Sequence, residues 1–356
     1  MKNVKLLSVI AGLVMMLCVM PETILAIKPF ARDMVLIYAG GSHRKAWDKS
    51  QFEPYVAMKD SKGKNQWLFD GYLFLEIKNG QGRGFASYYE KEGARRQEWT
   101  KLLDDYFTPG QMVCALNDCV GEVRAANPKK FEKKKVVIGM PEPIPNQKDW
   151  GEIDGKVIDF SNGEDRLAAC QWFVNYAIKK FNEANLDNLE LSGFYWIAEE
   201  ATNSRSLAHN VGDYVRSKGF NFNWIPYFKS DGFQEWKTLG FDIAYLQPNY
   251  FFDKKVPFER LDQACKLAAE NGMCLEMEFD ERALKNGGFG SRLSDYINAF
   301  DECGAFASFP IAYYQGDRAF YNLFHSKDIE DKQLYMELAK RIAERQKSKK
   351  LKGLTK

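Results

Sequence analysis

Eight short apolar runs, separated by amphipathic stretches, constrain most strongly what this sequence can fold into. They read VLIYAGG (35–41), WLFDGYLFLEI (67–77), VVIGMPEP (136–143), LELSGFYWI (189–197), FNWIPYF (222–228), FDIAYLQPNYFF (241–252), CLEMEFD (274–280) and FPIAYYQGD (309–317). Near-continuous hydrophobicity of this length is what a strand buried on both faces of a sheet requires. The stretches between repeat at helical spacing instead. In 165–181, Ala169, Trp172, Phe173, Tyr176, Ala177 and Phe181 recur at threes and fours, one apolar face of a helix. Leu261, Ala264, Cys265 and Ala268 do the same, with Asn271-Gly272 as a stop. Residues 291–303 and 327–346 also read as helices, the latter with a strongly charged outer face. Eight strands, each followed by a helix, predict an α/β chain closed into one (β/α)8 TIM-type barrel over residues 27–348. An open doubly wound sheet is the rival, but GGSHRKAW after the first run lacks the G-x-G-x-x-G spacing such sheets use for dinucleotides. No linker or internal repeat divides the chain.

The ends read differently. MKNVKLLSVIAGLVMMLCVMPETILA (1–26) has Lys2 and Lys5, then an apolar run, then small Ala26, the layout of a cleaved export signal. The run from Leu6 to Met20 is short for a membrane span, and Leu17 is too bulky for lipidation at Cys18. The expectation is an exported protein, periplasmic or extracellular, with no membrane span after cleavage and a solvated basic tail over 349–356. Removing Lys2, Lys5 and Glu22 leaves 48 basic and 47 acidic residues. That balance argues against nucleic acid or an anionic membrane as the main partner. The chain has seven cysteines without a C-x-x-C pair, and three histidines, so no metal site or cofactor is expected. Cys114 and Cys119 are one candidate disulfide pair, and buried free thiols are the other reading for the cysteines after Cys18. No G-x-S-x-G elbow marks a serine hydrolase.

In a barrel, the C-terminal ends of the strands converge on one mouth. Those ends supply Tyr38, Asp70, Glu142, Glu199, Glu200, Tyr227, Gln247, Asn249, Glu276, Glu278, Asp280, Tyr314, Gln315 and Asp317, with Trp47, Trp150, Trp196, Trp224 and Trp236 near them. Acids framed by aromatic rings suit a carbohydrate: sugar faces stack on the rings, and acids serve hydroxyls and the glycosidic oxygen. Alternation places Glu276 and Glu278 on one strand face, Glu278 nearer the mouth. In the fourth strand, Glu199 shares the parity of Ile197 and Glu200 that of Trp196, so either is a candidate acid/base opposite a Glu278 nucleophile. Pro248 should end the sixth strand, since proline deletes a ladder hydrogen bond. Gln247, Asn249 and Tyr250 then follow at the mouth. The plainer reading of any one strand-end acid is a helix cap or ion pair, and of any one tryptophan, core.

The run GFYWIAEE, followed by FNWIPYFKSDGFQEWKTLGFDIAYLQPNYFF, resembles the family designated domain of unknown function 4855, secreted proteins frequent in gut Bacteroidetes. GGSHRKAWDKSQFEPYV and WLFDGYLFLEI fit that family's opening, so the resemblance covers nearly the whole mature chain. It implies a glycosidase-like barrel from polysaccharide-using bacteria, without a particular substrate. The glutamates of strands four and seven also resemble those of the retaining glycoside hydrolase clan. That clan's fourth strand typically ends Asn-Glu, whereas this chain reads Ala198-Glu199-Glu200, so the asparagine that would hold a sugar 2-hydroxyl is absent. An exported glycoside hydrolase is the leading expectation, and a non-catalytic glycan-binding protein on the same scaffold is the alternative.

Overall fold

The computed structural model describes residues 26–127 and 131–348. The export signal and the basic tail expected from the sequence lie outside these residues, except for Ala26. Eight parallel strands close a barrel: β1 (Asp33–Tyr38), β2 (Gly71–Leu75), β3 (Lys134–Met140), β4 (Leu189–Trp196), β5 (Asn221–Trp224), β6 (Ile243–Leu246), β7 (Cys274–Glu278) and β8 (Ile311–Tyr314). Each strand pairs with its sequence neighbours, and β8 closes on β1 through Asp33–Ile311, Met34–Ala312 and Val35–Tyr313. The chain therefore adopts the (β/α)8 barrel in a single domain, and β6 ends two residues before Pro248.

The outer layer consists chiefly of α1 (Lys49–Val56), α2 (Arg96–Tyr106), α3 (Met112–Ala125), α4 (Gly163–Glu183), α5 (Ala208–Ser217), α6 (Glu259–Glu270) and α7 (Gly290–Glu302). After β8 come a short helix, Ala319–His325, and the long terminal helix Ile329–Lys347. The fifth strand departs from the expected alternation, because only a 3₁₀ turn, Phe233–Glu235, separates it from β6. No helix among the described residues is long and apolar enough to cross a membrane.

Register fixes which side chains face inward. Tyr38 pairs with Leu75, Gly139 lies level with Tyr195, Tyr195 with Asn223, and Glu278 with Tyr314. Alternation from these pairs puts Tyr38, Tyr195, Asn223, Glu276, Glu278 and Tyr314 on the inner face. Gly193 marks a close approach there: a β-carbon would come 2.0 Å from Asn221 Oδ1, so no larger residue fits beside this buried amide.

The bottom of the barrel, where strands begin, is closed by ions. Arg345 Nε donates to Asp33 Oδ1 at 2.6 Å, and Tyr313 Oη donates to the same oxygen at 2.8 Å. Asp70 was expected at the mouth but lies here, immediately before β2. Its carboxylate accepts from the amides of Arg32 (2.9 Å) and Asp33 (2.8 Å) and sits 3.5 Å from Lys135 Nζ. The second apolar run is longer than its strand, and Asp70 precedes the part that pairs.

Cysteine placement also departs from one expectation. Cys114 and Cys119 are both free thiols on α3. Five positions along a helix turn the two side chains roughly 140° apart, which prevents bonding between them.

Candidate active site

Past the end of β4 the chain keeps its alternation long enough for Glu199 to enter the mouth. Glu199 Oε1 accepts from Gln247 Nε2 at 3.1 Å, and the same nitrogen donates to Ile225 O at 2.9 Å. Gln247 Oε1 in turn accepts from Asn249 Nδ2 at 3.4 Å, which also lies 3.4 Å from Glu278 Oε1. Glu278 Oε2 receives two short bonds, from the Asn249 amide and from Tyr296 Oη, both at 2.6 Å. A continuous polar chain thus runs from the end of β4, across the segment after β6, to the end of β7. Glu200 turns away from this chain, and its Oε2 accepts from Tyr227 Oη at 2.7 Å.

Electrostatics sharpen the arrangement. Burial raises the Glu199 pKa, with the Gln247 bond opposing and Glu200 adding to the rise. Glu278 is pushed up to about 7 by burial, against the stabilising donors Tyr296 and Asn249. Burial, followed by the charges of Glu278 and Glu199, holds Glu276 well above the usual carboxylate range. No lysine or arginine ion pair reaches any of the three among the described residues, so protons rather than cations relieve their repulsion.

A carboxyl whose folded pKa lies above its unfolded value stabilises the protein below the unfolded pKa and loses that contribution as pH rises through the folded one. The melting temperature should therefore rise on acidification from pH 7.5 to pH 5, and Glu276→Gln should flatten the rise and stabilise the protein at pH 7.5. Calorimetry at intermediate pH checks this, and an unchanged slope in the variant would contradict the placement of Glu276.

A pocket of about 250 Å³ opens beside Glu199, lined by Ser87, Tyr88, Tyr89, Glu142, Ile197, Glu199, Glu200, Asn203 and Tyr227 among others. Glu142 Oε2 accepts from the Ser87 amide at 2.7 Å, while its buried Oε1 has no hydrogen-bond partner among the described residues. Tyr88 is 79% exposed and adopts a left-handed backbone with φ of 73°, a conformation that costs a side-chain-bearing residue energy. Tyr38 and Tyr314 meet edge to face at 5.8 Å on the inner face.

Several expected site residues lie elsewhere. Trp196 and Trp224 occupy outward strand positions, where large apolar rings pack against the outer layer. Their indoles donate to Ser204 Oγ (2.8 Å) and Ala198 O (2.7 Å), and Trp224 stacks on Phe241 at 4.7 Å. Trp47 stacks on Phe52 at 5.0 Å, Trp150 packs on Trp99 at 5.3 Å, and Trp236 donates to Asn271 O at 3.0 Å. All five are core. Gln315 is fully buried, accepting from Tyr55 Oη at 3.0 Å and donating to Leu36 O at 3.3 Å. Tyr250 is turned to α7, with its hydroxyl 2.6 Å from Asp295 and its ring under Arg292 at 3.5 Å. Asp280 accepts from the Arg282 amide at 2.9 Å, and Asp317 pairs with Arg44 at 3.1 Å. Arg44 also holds the buried Glu76 just past β2. Glu76, Tyr88, Tyr89 and Tyr296 are the mouth residues that strand-end reading passed over. The sequence signal for the tyrosines was Tyr88-Tyr89 in a glycine-rich loop.

Asn249 serves the backbone as well as Glu278. Its φ is 50°, a left-handed conformation that asparagine tolerates better than alanine, and its Oδ1 accepts from the Phe228 amide at 3.0 Å. Asn249→Ala should therefore lower stability by about 1–3 kcal/mol, contrary to the neutral effect expected of a pure ligand-binding residue. Asn249→Gly keeps the left-handed backbone fit and loses only the side-chain bonds. A melting temperature that falls in Asn249→Ala and falls less in Asn249→Gly checks the assignment.

No curated protein matches this chain. Among solved structures, a GH18 chitinase from Pseudoalteromonas aurantia superposes with a TM-score of 0.43 at 10% identity, covering 85% of this chain and 99% of that one. A Cellulomonas fimi endo-β-1,4-mannanase gives 0.45 at 12% identity, covering 88% and 70%. The tryptophan synthase α-subunit of Pyrococcus furiosus gives 0.37 at 8% identity, covering 90% and 99%. Likeness at this level decides nothing about substrate, and the barrel assignment rests on this chain's own strand pairing. At the level of sequence the match is of another order: a family model covers residues 33–340, and the chain belongs to that family, domain of unknown function DUF4855.

Proposed function

We propose that this protein is an exported glycoside hydrolase acting on a poly- or oligosaccharide with retention, Glu199 serving as acid/base and Glu278 as nucleophile. The observation that carries the reading is the hydrogen-bonded chain from Glu199 through Gln247 and Asn249 to Glu278. It couples a half-buried carboxyl just past β4 to a buried one at the end of β7, strands three apart around the barrel. In the first step Glu278 attacks the anomeric carbon as the glycosidic C–O bond breaks and the leaving oxygen takes the Glu199 proton. In the second, Glu199 removes a proton from water, which displaces Glu278 from the sugar. A raised Glu199 pKa suits the acid, and two donors on Glu278 Oε2 suit a carboxylate that must ionise. Glu200 is the weaker candidate because Tyr227 engages it on the pocket wall. Tyr88, Tyr89 and Tyr227, with Glu142, would receive the sugar ring, and Tyr38 and Tyr314 would border the reacting carbon.

One observation favours a second reading, a glycan-binding protein without turnover: Ala198 stands where the retaining clan carries its asparagine. Incubating the purified protein with host and plant glycans, and assaying both binding and release of reducing ends, separates the two. Product from any glycan supports the hydrolase, and binding without product across the panel supports the alternative.

A further inference from the structure

Cys265 lies on α6, and Cys303 caps the C-terminal end of α7. The two are 38 positions apart in sequence, yet their sulfurs are 2.7 Å apart. A disulfide needs about 2.05 Å, so closing the bond takes a shift well under the length of a covalent bond. The other four described cysteines, Cys114, Cys119, Cys170 and Cys274, are free thiols. The two members also differ in access. Cys303 is exposed and Cys265 is buried, which gives one thiol open to an external reagent and one held behind it.

We propose that Cys265 and Cys303 form a reversible disulfide that ties α6 to α7, with a small-molecule or protein disulfide as oxidant. The Cys303 thiolate attacks one sulfur of the external disulfide, forming a mixed disulfide and expelling one thiolate. The Cys265 thiolate then attacks the Cys303 sulfur and expels the second. Two protein thiols are oxidised, one external disulfide is reduced to two thiols, and the two protein protons pass to the leaving thiolates. The order follows from the contact itself: the Cys265 thiol donates to Cys303 and lowers the pKa of the exposed partner. The crosslink fastens the helix that supplies Tyr296 to Glu278, and Arg292 and Asp295 to Tyr250. It does not depend on the hydrolase reading, since it rests only on α6 and α7.

The test treats the full chain with oxidised glutathione, blocks remaining thiols under denaturing conditions, and maps the peptides by mass. The expected product is a crosslinked 265–303 peptide in a protein lighter by two hydrogens. Its melting temperature should exceed that of the reduced form by about 3–6 °C, with the gain reversed by dithiothreitol and absent in Cys303→Ser. Full alkylation of both cysteines, or glutathione retained on Cys303 without transfer to Cys265, would overturn the proposal. The mass readout on the unmutated chain stands even if the serine variant folds poorly.

Discussion

Glu199→Gln should lower kcat/KM by about 10²–10⁴-fold, the usual contribution of a positioned acid/base, while leaving the fold and glycan binding intact. Glu278→Gln should lower it further, to background, because the amide cannot form the glycosyl intermediate. The pH profile separates these roles from simple damage. The acid limb of kcat/KM reports ionisation of Glu278 in the free enzyme, which burial sets at about 7. Glu199 works protonated and sets the alkaline limb, which should disappear in Glu199→Gln. An activity loss of the stated size with the alkaline limb retained would take the acid role away from Glu199. Full activity in Glu278→Gln would remove the nucleophile assignment outright.

Arg345→Met should cost about 3–5 kcal/mol, far more than loss of a surface ion pair. Both side chains of the Arg345–Asp33 pair are buried, at 4% and 0% exposure. Arg345 also donates to the carbonyls of Arg32 (3.0 Å) and Phe309 (2.8 Å), so the terminal helix is bolted beneath the barrel. Burial already holds Asp33 above its ordinary pKa, with Arg345 as the main opposing charge. Without the guanidinium, Asp33 is left as an uncompensated buried acid. The melting temperature should fall by roughly 4–7 °C for a chain of this size. The deficit should shrink at low pH, where Asp33 can be neutral, and in the double variant carrying Asp33→Asn as well. A loss below about 1 kcal/mol would put the pair in the class of solvated surface bridges.

The barrel was legible because strands buried on both faces leave a continuous apolar trace, and all eight runs contain or overlap a strand. Strand ends were less legible. Asp70 stands inside an unbroken hydrophobic run, and nothing local says that pairing begins only at Gly71. Trp196 and Tyr195 are adjacent and both aromatic, and only register with β3 and β5 decides that the tyrosine faces inward and the indole outward. The same parity argument, carried past the strand end, places Glu199 rather than Glu200 toward Gln247. Tyr88 and Tyr89 come from a loop whose position over β4 depends on tertiary folding, and Tyr296 reaches Glu278 from a helix read only for its apolar face. Arg345 was hidden for a similar reason: a charged residue late in a charged helix gives no sign that it points inward.

The most direct measurement of the central claim compares the unmutated protein with Glu278→Gln on one glycan panel, recording reducing-end release and equilibrium binding side by side. The hydrolase account predicts product from at least one glycan with the unmutated chain. It also predicts binding of that glycan by Glu278→Gln without product. Binding by both proteins with product from neither, or equal product from both, would contradict it.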